Sequence, residues 1–173
     1  YLHLTTNNTV YGTQWQDLSV FYNKNVPLVA DMSSDILSRV IDFNKFDLIY
    51  AGAQKNIGAA GVNVVVVNKR CLGKVSRQLP TMMDYRNHIE ANSLLNTPPV
   101  FAIYVCMLTL RWLKNNGGIS FAEKRNETKA KLFYDTLDSS SIFKGTVAKE
   151  DRSKMNAVFV VENPQIEKEF LAL

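Results

Sequence analysis

Lys55 is the only charged residue between Asp47 and Lys69. It sits in AGAQKNIGAAG (51–61), after the apolar run DLIY and before VNVVVV. An ammonium held between two buried strands is costly unless it is paired or neutralised, and burial favours the uncharged amine. An uncharged lysine amine is a nucleophile, suited to Schiff-base formation with a carbonyl. The small residues Ala51, Gly52, Ala53, Gly58, Ala59, Ala60 and Gly61 leave room for a flat ring beside the backbone. The same segment also reads as an exposed turn lysine whose glycines merely make the turn.

Asp31 closes the run VPLVAD. Open α/β sheets bind ligands beyond the carboxyl ends of their strands. A carboxylate there, with Lys55 after the next strand, supplies the two groups that pyridoxal phosphate needs. The amine takes the aldehyde carbon, and the acid keeps the ring nitrogen protonated. With Ser33 and Ser34 following, Asp31 equally reads as a turn or cap acid. Asn96–Thr97–Pro98–Pro99 opens a helical stretch, and a helix start is an anion site as well as a plain cap.

Several elements must position these groups. Apolar, β-rich runs predict strands in YLHLTT, VPLVAD (26–31), FDLIYAGA (46–53) and GVNVVVVNK (61–69). Runs without strict alternation predict strands covered on both faces, as in α/β proteins. The short 54–60 connection allows the last two strands to be antiparallel neighbours in an otherwise parallel sheet. SSDILSRVID reads as a short helical or turn connection, and residues 81–99 as a long loop. Asn96 or Thr97 as cap, Pro98 in the first turn and the stop Gly117–Gly118 bound a helix, apolar nearly all round and therefore expected to be well buried. Ser120 and Glu123 suggest a capping box for a second helix ending near Leu137. The polar stretch 138–154 reads as a linker, MNAVFVVE as a new strand and NPQIEKEFLAL as a new helix.

The composition narrows the function classes. The chain has 173 residues and a net charge of +4, with its basic residues scattered. It has no basic stretch interleaved with aromatics, so nucleic acid is not an expected partner. No apolar run approaches the roughly 20 residues that cross a bilayer. Cys71 and Cys106 lack a CxxC partner and are expected to be free thiols. His3 and His88 are isolated and read as packing or surface histidines. The chain lacks an initiator methionine and opens on an apparent strand, which is expected of part of a longer protein.

Taken together, ADMSSDILSR, IYAGAQKNIGAAG, PTMMDYRNH and LLNTPPVFAIYVCML resemble the phosphoserine aminotransferases, class V enzymes of the fold-type I pyridoxal-phosphate group. The resemblance implies an α/β fold. Residues 1–140 would form part of the large cofactor domain, a mostly parallel sheet with helices on both faces. Residues 141–173 would be a linker and the start of a small α+β domain. It implies pyridoxal 5′-phosphate as cofactor, with Lys55 forming the Schiff base and acting as the catalytic residue. Gln54 would lie on the ring-hydroxyl side, Asp31 on the ring nitrogen and Thr9 at the phosphate end. Asn96 and Thr97 would reach the phosphate of a neighbouring subunit's cofactor, which makes the enzyme a homodimer with shared sites. The implied substrates are glutamate and 3-phosphohydroxypyruvate, converted in the cytoplasm to 2-oxoglutarate and O-phosphoserine for serine biosynthesis. Arg39, Arg86 and His88 are candidates for gripping a phosphorylated substrate. The family's proline after NIG is Ala59 here. Its ring-stacking tryptophan and substrate-binding arginine would fall before Tyr1, and a further arginine and histidine after Leu173. Another class V aminotransferase, or a non-catalytic fragment of one, shares the same features.

Overall fold

A computed structural model describes residues 1–22 and 25–172. The chain opens with β1 (Leu2–Thr5) and a small hairpin of β2 (Asn7–Asn8) and β3 (Thr13–Gln14). Then come β4 (Leu28–Asp31), β5 (Leu48–Gly52), the one-turn helix α1 (Ala53–Asn56) and β6 (Asn63–Val67). The main sheet has the order β1-β4-β5-β6. β1, β4 and β5 run parallel, while β6 returns antiparallel to β5, as the short connection allows.

Side chains alternate across this sheet. Leu4, Leu28, Ala30, Ile49 and Ala51 share the buried face, and Met32, Ile36, Ile57 and Cys106 complete its core. The other face carries His3, Thr5, Val29, Asp31, Leu48 and Tyr50, all partly or fully exposed. Residues 33–37 form consecutive turns and Phe43–Lys45 a short 3-10 helix, and these make the β4–β5 connection.

The expectation that β6 is covered on both faces does not hold. β6 is an edge strand, and Val65 and Val66 are exposed. The expected long loop contains α2 (Tyr85–Glu90), whose first turn is capped by the Asp84 carboxylate accepting the Arg86 N–H.

Helix α3 spans Val100–Asn115, with Pro99 at its N-cap and no side-chain cap. It starts later than the sequence reading placed it. A residue before proline is kept out of the helical region, so Thr97 and Pro98 stay extended and the helix begins beyond the Pro-Pro pair. Nor is α3 well buried. Ala102 and Cys106 are buried, but Val100, Phe101, Tyr104, Leu108 and Trp112 are exposed. The apolar surface is real, and among the described residues its fully buried part is the small pair Ala102 and Cys106.

Helix α4 (Gly118–Ser139) follows at once, because Gly117 adopts φ 103°. It begins two residues before the expected capping box, so Ser120 already lies inside the first turn. Glu123 instead accepts the backbone N–H of Val40 at 3.2 Å.

Beyond α4, β7 (Phe143–Gly145) and β8 (Phe159–Val161) form an antiparallel pair beside α5 (Pro164–Leu171), which Asn163 caps. Phe143 packs edge-on against Phe159 and Phe170. Leu173, the last residue of the expected final helix, lies outside the described residues. The stretch 138–154 is tied down more firmly than a linker. Arg152 pairs with Asp138 at 2.7 Å, and the Tyr134 hydroxyl donates to the Ser153 carbonyl at 2.8 Å. Asp138 is held well below the usual carboxylate range, first by Arg152 and then by Lys149.

Candidate active site

The lysine loop is fixed by its apolar residues and presents its polar ones. As the chain leaves β5, the Ala53 N–H donates to the Val62 carbonyl at 2.9 Å. The Ala53 carbonyl then accepts from Ile57 at 3.0 Å and Gly58 at 2.8 Å, closing a single helical turn. Ala53 and Ile57 sit in the core, so Gln54 and Lys55, on the opposite side of that turn, face out.

The structure therefore corrects the expectation of a dry amine, since the Lys55 side chain is exposed. Its Nζ donates to Thr9 Oγ1 at 3.0 Å. Gln54 folds back over Gly52, where a Cβ would come within 2.6 Å of the Gln54 amide oxygen. Glycine at position 52 makes room for that side chain.

The loop is closed from outside by α3. A Cβ on Gly58 would lie 2.7 Å from Cys106 Sγ and 3.0 Å from the Cys106 backbone. Gly58→Ala should therefore destabilise the fold by about 1–3 kcal/mol through overpacking, read as a lower midpoint in urea unfolding. An unchanged midpoint would mean that α3 does not close on this loop.

Asp31 ends β4 and pairs in register with Thr5 on one side and Tyr50 on the other. Its carboxylate accepts the Ser33 N–H at 2.9 Å, the turn role considered for it. The Ser33 hydroxyl accepts from Gly52 N–H at 3.0 Å, tying the Asp31 turn to the strand end that leads into Lys55. The Tyr50 hydroxyl is pushed above its ordinary pKa, chiefly by burial and then by the Asp31 carboxylate. His3 Nε2 lies 3.0 Å from that hydroxyl, with the two rings stacked.

His3 and Tyr50 were not singled out as site residues. Strand alternation carried the signal: position 3 lies two residues before Thr5, the register partner of Asp31, and Tyr50 is the partner on the other side.

Thr9 sits at the tip of the β2–β3 hairpin, where Asn8 Oδ1 accepts the N–H groups of Val10 and Tyr11. The structure thus brings Thr9 to Lys55, and sets Asp31 and Gln54 at the ends of the adjacent strands β4 and β5. It does not bring Asn96 and Thr97 to this group. Both are exposed before α3, and the Asn96 amide donates only to the Thr97 carbonyl.

The three substrate candidates are engaged elsewhere. Arg39 binds Asp35 at 3.3 Å and the Trp15 carbonyl at 2.6 Å. Arg86 binds Asp84, and His88 meets the Met82 carbonyl. A cavity of about 1010 Å³ opens at the opposite end of the sheet, lined by Leu28, Leu48, Val67, Arg70 and Arg86 among others. None of the six candidate site residues lines it. The amine and the carboxylate lie instead at the carboxyl ends of the parallel strands. Both cysteines are free. Among the described residues no helix is long and apolar enough to cross a membrane, and no cluster could hold a metal ion.

The family described as aminotransferase class-V matches residues 1–172. The phosphoserine aminotransferase of Flavobacterium psychrophilum is 57% identical over 163 residues, covering 94% of this chain and 45% of that protein. That of Bacillus subtilis is 51% identical over 172 residues, covering 99% of this chain and 47% of the relative. Among solved structures, phosphoserine aminotransferase from Bacillus circulans subsp. alkalophilus superposes with a TM-score of 0.93 at 44% identity, over 99% of this chain and 47% of that one. The pyridoxal-phosphate-bound enzyme from Trichomonas vaginalis gives a TM-score of 0.84 at 37% identity, over 94% of this chain and 47% of that one. The chain spans about half the length of the curated relatives it matches.

Proposed function

The chain belongs to the class V aminotransferase family, and on that premise we propose that it is the central part of a pyridoxal-phosphate enzyme acting on phosphoserine. That enzyme transfers an amino group from glutamate to 3-phosphohydroxypyruvate, giving 2-oxoglutarate and O-phosphoserine in serine biosynthesis. The observation that carries this reading is the placement of an amine and a carboxylate on neighbouring strand ends, with Lys55 Nζ resting on Thr9 Oγ1.

These residues fit the cofactor. Lys55 supplies the amine for its aldehyde, Asp31 an acid for its ring nitrogen, and Gln54 and Thr9 polar contacts. When bound, pyridoxal phosphate supplies the electron sink that stabilises negative charge at the substrate Cα. Lys55 would hold the cofactor through its amine, and its Nζ, when free, would carry the Cα proton as general base and acid. The Thr9 hydroxyl holds Nζ in the tethering position. Asp31 would keep the ring nitrogen protonated, and the Ser33 N–H already fixes one of its carboxylate oxygens.

Asn96 and Thr97 would serve the cofactor phosphate of a second subunit in a cytoplasmic homodimer. Their exposure, away from Lys55 and beside the uncovered apolar face of α3, supports that role. Residues 1–140 would then belong to the large domain and 141–173 to the connection and start of the small one. Reduction of the cofactor-loaded protein with borohydride tests the reading. The pyridoxyl group is expected on the peptide containing Lys55; attachment to another lysine, or to none, overturns it.

A further inference from the structure

We propose that Asn156, supported by Ser153, is a positioning residue that holds Thr9 and through it the Lys55 amine. The inference rests on the proposed function for its catalytic meaning, though the contacts that carry it do not.

The stretch 153–156 lies far along the chain from the β2–β3 hairpin and yet locks onto it. The Asn156 amide donates to the Thr9 carbonyl at 2.8 Å. Its Oδ1 accepts from the Asn7 amide, also at 2.8 Å. The Ser153 hydroxyl donates to Asn7 Oδ1 at 2.5 Å and accepts the Met155 and Asn156 N–H groups at 3.0 and 3.2 Å. The Ser153 N–H donates to the Gly12 carbonyl at 2.8 Å.

Asn7 and Ser153 are almost wholly buried, and no buried side-chain polar atom among the described residues lacks a partner. Around Asn7 and Ser153 each broken bond would strand a desolvated group, so that part acts as a unit, and the Asn156–Thr9 bond leaves it at its exposed edge. The approach is close enough to require glycine at position 12. Its φ is 70°, and a Cβ there would lie 2.9 Å from Val158.

Thr9 has two polar handles, and the two ends of this path use one each. Its carbonyl takes Asn156 and its hydroxyl takes Lys55. Asn8 stiffens the residues that follow. The placement of the segment leading to β8 and α5 is therefore read out at the amine.

Asn156→Asp is the informative substitution. It keeps the acceptor for Asn7 but sets a carboxylate oxygen against the Thr9 carbonyl, cutting the link toward Lys55 while adding one negative charge. The first measurement is the acetylation rate of Lys55 by acetic anhydride in cofactor-free protein, followed by mass spectrometry, with Lys131 as internal reference. The second is the dissociation constant for pyridoxal phosphate in the same variants. Loss of one positioning hydrogen bond is expected to change each by about fivefold, with faster acetylation and weaker cofactor binding. Thr9→Val should produce a similar change. The double variant should match Thr9→Val alone, because both substitutions cut one path.

Multiplicative effects in the double variant, or acetylation in Asn156→Asp equal to wild type, would overturn the proposal. If Asn156→Asp fails to fold, Ser153→Ala loosens the same junction from its other side, and the same coupling to Thr9→Val decides. If the wild-type protein binds no pyridoxal phosphate, the functional reading fails, and the acetylation rates still decide the clamp.

Discussion

Lys55→Ala is expected to fold like wild type and to lose transaminase turnover by about 10⁴-fold, the upper end of what a positioned proton-transfer group contributes. The two halves of that result have separate causes. The side chain is exposed, and its one side-chain hydrogen bond is to Thr9, itself exposed at a hairpin tip. Surface truncations of this kind usually change stability by no more than about 0.5 kcal/mol. The helical turn beneath is held by Ala53, Ile57 and the Val62 carbonyl, none of which the substitution touches. On the proposed function turnover would fall because the same nitrogen would both tether the cofactor and move the Cα proton. The measurement pairs thermal unfolding with steady-state transamination of glutamate and 3-phosphohydroxypyruvate. Turnover within tenfold of wild type would assign the amine's role to another residue.

Asp31→Asn is the second large effect, with an expected loss of about 10³-fold in kcat, within the range for removing a group that holds a catalytic proton. The amide keeps an oxygen to accept the Ser33 N–H, so the turn after β4 should survive. What disappears is the negative charge that, on the proposed function, would keep the ring nitrogen protonated. A reporter independent of the cofactor is built into the sheet. The Tyr50 phenol is raised first by burial and secondly by the Asp31 carboxylate. In the variant its titration should shift down toward the ordinary value while staying above it, since burial persists. Ultraviolet titration of the tyrosines in cofactor-free protein checks this. An unmoved Tyr50 would mean that Asp31 is directed away from it, and undiminished turnover would remove Asp31 from the reaction.

Local features were legible in the sequence. Strands β4 and β5, the antiparallel return of β6 and the α3–α4 break at Gly117 follow from apolar runs, a short connection and glycine. Asp31 and Lys55 were legible as strand-end residues for the same reason. Burial was read less well, because apolarity says that a surface prefers cover without saying which chain supplies it. The valines of β6 and the large residues of α3 are apolar and exposed here. Lys55 was misread in the converse direction: its neighbours are buried, but one turn of helix sets it on their far side. The Asn7–Ser153–Asn156 junction left no local trace, since polar residues in NNT and DRSKMN acquire meaning only when the fold joins them. The Pro-Pro pair before α3 could have been read correctly. Its effect is stereochemical and acts on the residues just before it.

The contact between Gly58 and Cys106 gives the uncovered side of α3 a further consequence. The helix leans on the lysine loop through a thiol and a hydrogen, with no slack for either to shift alone. If a twin subunit settles on α3, the force of docking reaches the amine of Lys55 through this close contact. Cofactor retention would then follow protein concentration: dilution that parts the twins would let the helix relax and loosen the vitamin's grip before any strand unravels.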